Sequence, residues 1–318
     1  MNTDIIHQIT VPTPYPVGDV HIYLVEGKQL SVVDAGVKTA AAKRALTQQL
    51  NDLGFSLADV EQVILTHHHP DHIGLVDQFP NAKAVCGHRN NRPWLTKDEA
   101  FLSRYQAFFQ DLYKEAAVPD SYKKHLVMLR APLRFIGEAA LTNELVEGDV
   151  LPGHEDFIVI ETPGHASSHL AFYRKRDGVL IGGDLLLANT SSNPLLEPAE
   201  QPNQARPKPL IDYRDSLHKC LNLEIDKVFP GHGSVINHPT ALIYSRLEKQ
   251  EARAAKVLAF VQETSATAFE VCQYLFPKQI DQQFGLTMSE AIGQLDYLEM
   301  EGKITTAMIQ GVRYYSKN

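Results

Sequence analysis

The sequence predicts an α/β fold, and three observations carry that prediction. Short apolar runs of β-type, Val63 to Leu65, Phe157 to Ile160, Gly178 to Ile181 and Lys227 to Phe229, recur along the chain. Segments of helical periodicity lie between and after them, so an arrangement of strands alone or helices alone does not fit. Each run also ends in polar side chains beside a glycine or proline, an arrangement that delivers functional groups to one edge of a rigid sheet.

In chain order, residues 4–34 alternate strand-like runs with turn signals at Pro12-Thr13-Pro14 and Glu26-Gly27-Lys28. A helix is expected from Lys38 to Leu53, closed by Gly54, then a second over Ile73 to Phe79 and a strand over Lys83 to Cys86. Residues 88–143 interrupt the return to strand with two or three helices. Pro194, Pro198, Pro202, Pro207 and Pro209 mark a loop from Asn193 to Pro209. Helices are then expected over Pro239 to Gln262, Ala266 to Phe276 with Thr264-Ser265 as cap, and Leu286 to Glu301, ended by Gly302. Lys303 to Thr306 and Gly311 to Tyr315 read as a terminal hairpin. The chain thus divides into a larger N-terminal domain, residues 1–236 with an insertion at about 88–143, and a C-terminal helical unit, 237–318, that resembles a winged helix.

Composition bounds the class. The 318 residues can bury one large core and a small second domain. No stretch approaches 18 consecutive apolar residues, so no transmembrane helix is expected. Met1-Asn2-Thr3-Asp4 lacks the basic start and apolar run of a signal peptide. Cys86, Cys220 and Cys272 are odd in number and scattered, which reads as reduced thiols in a cytoplasmic protein.

The densest chemistry lies at Thr66-His67-His68-His69-Pro70-Asp71-His72, directly after Val63-Ile64-Leu65. In an extended tail His67 and His69 project to one side and His68 to the other. Asp71 and His72 follow at a strand-to-helix turn, so one segment can serve two neighbouring ions. Three further runs lead to His165 in Thr162-Pro163-Gly164-His165, Asp184 in Gly182-Gly183-Asp184, and His232 in Pro230-Gly231-His232-Gly233.

This ordered set, His-x-His-x-Asp-His, Pro-Gly-His, Gly-Asp and Pro-Gly-His-Gly, resembles the metallo-β-lactamase superfamily over roughly residues 15 to 236. The resemblance implies a four-layer αββα sandwich. It also implies one metal site from His67, His69 and His165, a second from Asp71, His72 and His232, and Asp184 bridging both. Asp34, in Ser31-Val32-Val33-Asp34-Ala35-Gly36, matches a family Asp-x-Gly element and is expected to orient a ligand from behind.

Five imidazoles and two carboxylates suit two divalent ions, zinc first, with iron, manganese or cobalt fitting the same donors. Ions about 3.5–4 Å apart would share a water acidic enough to give a bridging hydroxide near neutral pH. Asp71 is the residue expected to handle its proton. His68 is expected to pack or support a ligand, and His169 to hydrogen-bond within the site or serve structure. His7, His21, His88, His125, His154, His218 and His238 have no assigned role.

The insertion bears on substrate. It holds 8 of the chain's 26 aromatics in 56 residues, and nine Lys and Arg against six Asp and Glu, inside a chain of formal net charge −8. Phe101, Leu102, Tyr105, Phe108, Phe109 and Leu112 form an apolar stripe at helical spacing, serving either as packing or as a lid over the cleft. A basic, aromatic lid favours a small-molecule ester or thioester with an apolar and an anionic part. The C-terminal unit resembles that of a superfamily branch containing a mitochondrial single-strand ribonuclease, which makes RNA cleavage the rival activity. From Thr264 onward, however, four Lys and Arg face six Asp and Glu, against the footprint of a nucleic-acid partner. That unit is expected to shape the cleft or to form a homodimer. Leu187 stands where related lactonases carry a tyrosine, with Tyr213 the nearest substitute, and a hairpin-ended module is not an obvious equivalent of the glyoxalase II helical domain. A binding protein stabilised by its metal is the non-catalytic alternative.

Overall fold

The computed structural model describes residues 4–201 and 204–318. Met1 to Thr3, and with them most of the segment weighed as a leader, lie outside the described residues, as does Pro202 of the proline-rich loop. Two sheets form the body. The first runs in sequence order through β1 (Ile5–Val11), β2 (Val20–Glu26), β3 (Leu30–Val33), β4 (Gln62–Ile64), β5 (Ala84–Gly87) and β6 (Asn143–Glu144). It is antiparallel from β1 to β3 and parallel from β3 onward. The second contains β7 (Phe157–Glu161), β8 (Leu170–Arg174), β9 (Val179–Gly183), β10 (Lys227–Pro230) and β11 (Ile236–Asn237), in the order β11-β10-β9-β8-β7. Only β9 and β10 pair in parallel there.

Helices follow as α1 (Ala40–Asp52), α2 (Pro70–Ile73), α3 (Arg92–Leu95), α4 (Glu99–Glu115), α5 (Lys124–Met128), α6 (Pro209–Leu221), α7 (Thr240–Glu263), α8 (Ala268–Leu275) and α9 (Phe284–Met300). Tyr23, Val33 and Ile64 of the first sheet meet Phe157, Phe172 and Ile181 of the second in one core. The opposite face of the first sheet buries Ala42, Leu46 and Leu50 of α1. That of the second packs against Tyr213 and Leu217 of α6 and Ile243 and Leu247 of α7. The layers are therefore helix, sheet, sheet, helix, as the motifs imply. β2 is buried along nearly its whole length because both its faces are covered.

Two local expectations are corrected. The helix expected over Ile73–Phe79 begins earlier, at Pro70, and stops at Ile73, followed only by a short 3-10 turn over Val76–Gln78. Pro70 supplies a preset first helical residue, while Gly74 is pressed against the backbone of residues 36–38 and donates to Gly36 O at 2.6 Å. Ala266-Thr267 is also not helical. It forms β12, paired with β14 (Val312–Lys317), and Thr267 caps α8 through a reciprocal box with Glu270. β13 (Ile304–Ile309) and β14 make the expected hairpin, so the C-terminal sheet is ordered β12-β14-β13.

The insertion and the C-terminal unit share a core. Phe109, Tyr113 and Ala116 of the α4 region are buried with Val257 and Val261 of α7, Phe269 of α8 and Phe284 of α9. An aromatic column connects them, from Trp94 to Tyr105 at 5.2 Å, Tyr105 to Phe109 at 5.0 Å, Phe109 to Tyr113 at 5.7 Å and Tyr113 to Phe284 at 5.2 Å. The apolar stripe is thus committed to packing. Among the described residues no helix is long and apolar enough to cross a membrane.

Candidate metal centre

The site stands where strand ends of both sheets meet. β4 leaves its sheet between two parallel neighbours, and its extension carries Thr66 to His69 into α2. Asp34, at the end of β3, takes a left-handed φ of 65°, uncommon for a residue with a side chain. Its carboxylate holds that geometry by accepting from Thr66 N–H at 2.8 Å, Thr66 Oγ at 2.7 Å and His72 Nδ1 at 2.7 Å. With Nδ1 so engaged, His72 turns Nε2 inward, the arrangement by which a carboxylate orients a ring from behind.

The second sheet supplies the other groups. Gly164, at φ 132°, precedes His165, and a Cβ on it would lie 2.4 Å from the Tyr213 backbone. His165 Nδ1 donates to Asn193 O at 2.9 Å, leaving Nε2 facing the site. Gly231 precedes His232, and a Cβ there would lie 2.2 Å from Asp184 Oδ1 and 2.8 Å from the His72 ring, so a side chain at this position would displace both groups. His232 Nδ1 donates to Asp19 O at 2.7 Å. Asp184, after Gly183, stands at the centre. Its Oδ1 is 3.5 Å from His72 Nε2, and its Oδ2 is 3.5 Å from both His165 Nε2 and His232 Nε2. Asp71 Oδ2 lies 3.3 Å from His232 Nε2, and His67 Nε2 lies 3.0 Å from His69 Nδ1.

Three groups of donor atoms result: His67, His69 and His165; Asp71, His72 and His232; and His67, His72 and Asp184, which joins the other two. His72 Nε2, His165 Nε2 and Asp184 Oδ1 are buried and have no hydrogen-bond partner. Leaving such atoms unpaired costs about 1–3 kcal/mol each, and cations held by these groups would satisfy all three. The charges agree with that fit. Burial and the neighbouring imidazoles hold His67 and His69 well below the usual histidine range, so both present neutral rings. Burial acts the same way on His72 and His232, but the Asp184 carboxylate, with Asp34 at His72 and Asp71 at His232, outweighs it and raises both. Asp184 is kept well below the carboxylate range by His232, His72 and His165 despite its burial. Two imidazoles and a carboxylate that attract positive charge beside two neutral imidazoles form a cation-binding donor set.

His68 points away, as the alternation requires. Its ring stacks on Trp94 at 4.7 Å and meets Ser168 Oγ at 2.8 Å. His169 does hydrogen-bond within the site. Its Nε2 accepts from Asp184 N–H at 3.0 Å, so Nδ1 carries the proton and donates to Thr162 Oγ at 2.8 Å. The sequence reading missed Thr66, the carbonyls of Asp19 and Asn193, and Glu197. Thr66 could have been suspected from its place beside His67. Backbone carbonyls leave no signal in a sequence.

A model of the metallo-beta-lactamase superfamily matches residues 15–232. The chain belongs to that superfamily. Along its length it is 44% identical over 306 residues to a probable metallo-hydrolase, YqjP, of Bacillus subtilis strain 168, covering 96% of each. A metallo-beta-lactamase family protein of Thermus thermophilus superposes with a TM-score of 0.82 at 28% identity, covering 98% of both chains. A beta-lactamase domain protein of Burkholderia ambifaria shares the fold at a TM-score of 0.80 and 22% identity, covering 98% of this chain and 92% of that one. The insertion and C-terminal unit therefore belong to a shared architecture. As a member of the superfamily the chain is a metallohydrolase, with a candidate His/Asp metal-binding site.

Proposed function

We propose that the chain is a two-ion hydrolase of a small-molecule ester or thioester. The observation that carries this reading is the pair of donor triads sharing a wall at His72, His67 and Asp184. A closed structural site takes four ligands around one ion, whereas seven donors around two leave positions open for water and substrate. We assign His67, His69 and His165 to one ion, Asp71, His72 and His232 to the other, and Asp184 to both. When bound, the ions would polarise the scissile carbonyl and make a coordinated water acidic enough to attack near neutral pH.

The chain's own residues do the rest. Hydrogen bonds from His72, His165 and His232 through Nδ1 lock their rings before any ligand arrives, so little reorganisation accompanies binding. Asp71 is the carboxylate to accept the proton of the attacking water and return it to the leaving group. The substrate preference is supported by the end of the insertion. Arg134 lies over the Phe135 ring at 4.6 Å, and Tyr15 meets the same ring edge-on at 6.1 Å. This turn packs on α2, which carries Asp71. Arg134 makes no ion pair among the described residues, and Tyr15 Oη has no hydrogen-bond partner. A free guanidinium beside an aromatic pair suits an acyl substrate bearing an anionic group.

The test offers the zinc- and manganese-reconstituted protein an acyl-CoA thioester, a simple ester and a labelled single-stranded RNA in parallel. Thioester or ester turnover lost in Asp184→Asn, with intact RNA, is expected. RNA cleavage lost in the same variant would replace the substrate reading.

A further inference from the structure

Residues 193–197 tie three parts of the molecule together. The Asn193 carbonyl accepts from His165 Nδ1, Leu195 N–H donates to Gly164 O at 3.3 Å, and Leu196 N–H donates to Ser289 Oγ on α9 at 3.2 Å. Glu197 ends the segment only 8% exposed. Its Oε1 accepts from Ser167 N–H at 2.9 Å and its Oε2 from the Ser167 hydroxyl at 2.6 Å. Oε1 also lies 3.7 Å from Nε2 of His68, whose backbone N–H donates to Ser168 Oγ at 3.1 Å.

A buried carboxylate is costly unless its oxygens are held by donors, and no lysine or arginine pairs with Glu197 among the described residues. Burial raises its pKa while the Ser167 hydrogen bonds oppose the rise. Its position supplies a reason for its presence. Ser167 lies two residues past His165, and His68 lies between His67 and His69. One side chain therefore holds the flank of His165 through two hydrogen bonds from Ser167 and lies beside the His68 ring between His67 and His69, with no hydrogen bond or ion pair to Asp71, His72 or His232 among the described residues.

We propose that Glu197 is a positioning residue for the His67/His69/His165 half of the centre, fixing the separation of two ligand loops so that their ring nitrogens converge. This rests on the two-ion reading above. Because His72 and His232 of the other half are held through Nδ1 by Asp34 and the Asp19 carbonyl and not by Glu197, loss of Glu197 acts on one ion and spares the second.

The experiment is a Zn²⁺ titration of the metal-stripped full chain in competition with a chromophoric chelator, alongside thermal unfolding without metal. Glu197→Ala is expected to weaken one of two equivalents by about 10–100-fold and to leave the other nearly unchanged. Glu197→Gln, whose amide oxygen still accepts from Ser167, recovers most of that loss. Ser167→Ala, which removes the hydroxyl donor to Glu197 and a long contact from Asn90 while keeping the backbone N–H donor, weakens the same equivalent less and gives a reading if Glu197→Ala does not fold. Unchanged affinities in both alanine variants, or equal weakening of both equivalents with a lower Tm of the metal-free protein, would overturn the positioning role and leave the two-ion reading standing. Fewer than two equivalents bound by the unsubstituted chain would remove that reading, and this proposal with it.

Discussion

At the ligand edge and in the core between α4 and the C-terminal helices, buried polar groups are treated in opposite ways. In the core most are matched: Arg206 grips Asp296 through two contacts of 2.7 Å, and Glu290 accepts from Arg253 at 2.6 Å and Gln294 at 2.9 Å, while Gln294 Oε1 and His125 Nε2 are scattered single exceptions. At the edge the matched atoms face outward, such as His72 Nδ1 on Asp34, while His72 Nε2, His165 Nε2 and Asp184 Oδ1 lack any protein partner. The difference teaches how to tell a scaffold from a site. Matched buried polar groups fix a fold, and unmatched ones gathered around a single carboxylate hold room for a cation.

The comparison breaks most visibly at its centre. Asp184→Asn should lower hydrolysis by roughly a thousandfold while far-UV dichroism and the metal-free Tm stay close to the parent, as measured by turnover and melting in parallel. A large fall in the metal-free Tm would mean that Asp184 serves the scaffold instead. On the other side, Phe109→Ala removes an aromatic from the column joining α4 to the C-terminal helices. It should cost about 3–5 kcal/mol in urea unfolding, with turnover per folded molecule little changed. A loss confined to turnover would restore the lid.

A smaller effect sharpens the edge itself. Asparagine tolerates the left-handed backbone of Asp34, so Asp34→Asn tests the charge behind His72 without straining the chain. It should weaken most the zinc equivalent that takes His72, by about tenfold, with a smaller effect on the equivalent sensitive to Glu197 through Thr66 and His67, read by chelator competition.

The smallest effect belongs to the scaffold. Burial, with Asp215 and Asp296 nearby, raises Asp212 from 3.8 to about 6. The folded state therefore holds this proton more tightly than the unfolded chain. The stability it contributes is complete below about pH 4 and is lost as pH rises through about 6. Asp212 is part-exposed, so solvent screening reduces the effect to on the order of 1 kcal/mol or less. Asp212→Asn should flatten the Tm-versus-pH curve of the metal-free protein between those values, and an identical curve would refute the assignment.

Much of this molecule was open to inspection in one dimension. The segment His67 to His72 and the turns before His165, Asp184 and His232 announce themselves because strand ends need glycine where backbones approach, and metals need lone pairs at close spacing. Helix α1 was legible at its end, where Gly54 turns the chain, while Thr39, expected inside the helix, caps it and sets its start at Ala40. The failures were also local in appearance and tertiary in cause. Nothing in Ile73 to Phe79 discloses that Gly74 must lie against the backbone of residues 36–38. Ala266-Thr267 becomes a strand only because β14 is there to pair with it.

The sequence by itself determined the candidate donors and their order, since residue type is a property of the chain, and it disclosed the layered fold through the family those motifs resemble. Tertiary structure alone decided which nitrogen of His72, His165 and His232 faces inward, through Asp34 and the carbonyls of Asn193 and Asp19. It alone joined the insertion to the C-terminal unit in one core, and brought Glu197 against Ser167. Those contacts link residues far apart along the chain, and many run through backbone atoms that every residue shares, so only the folded arrangement distinguishes them.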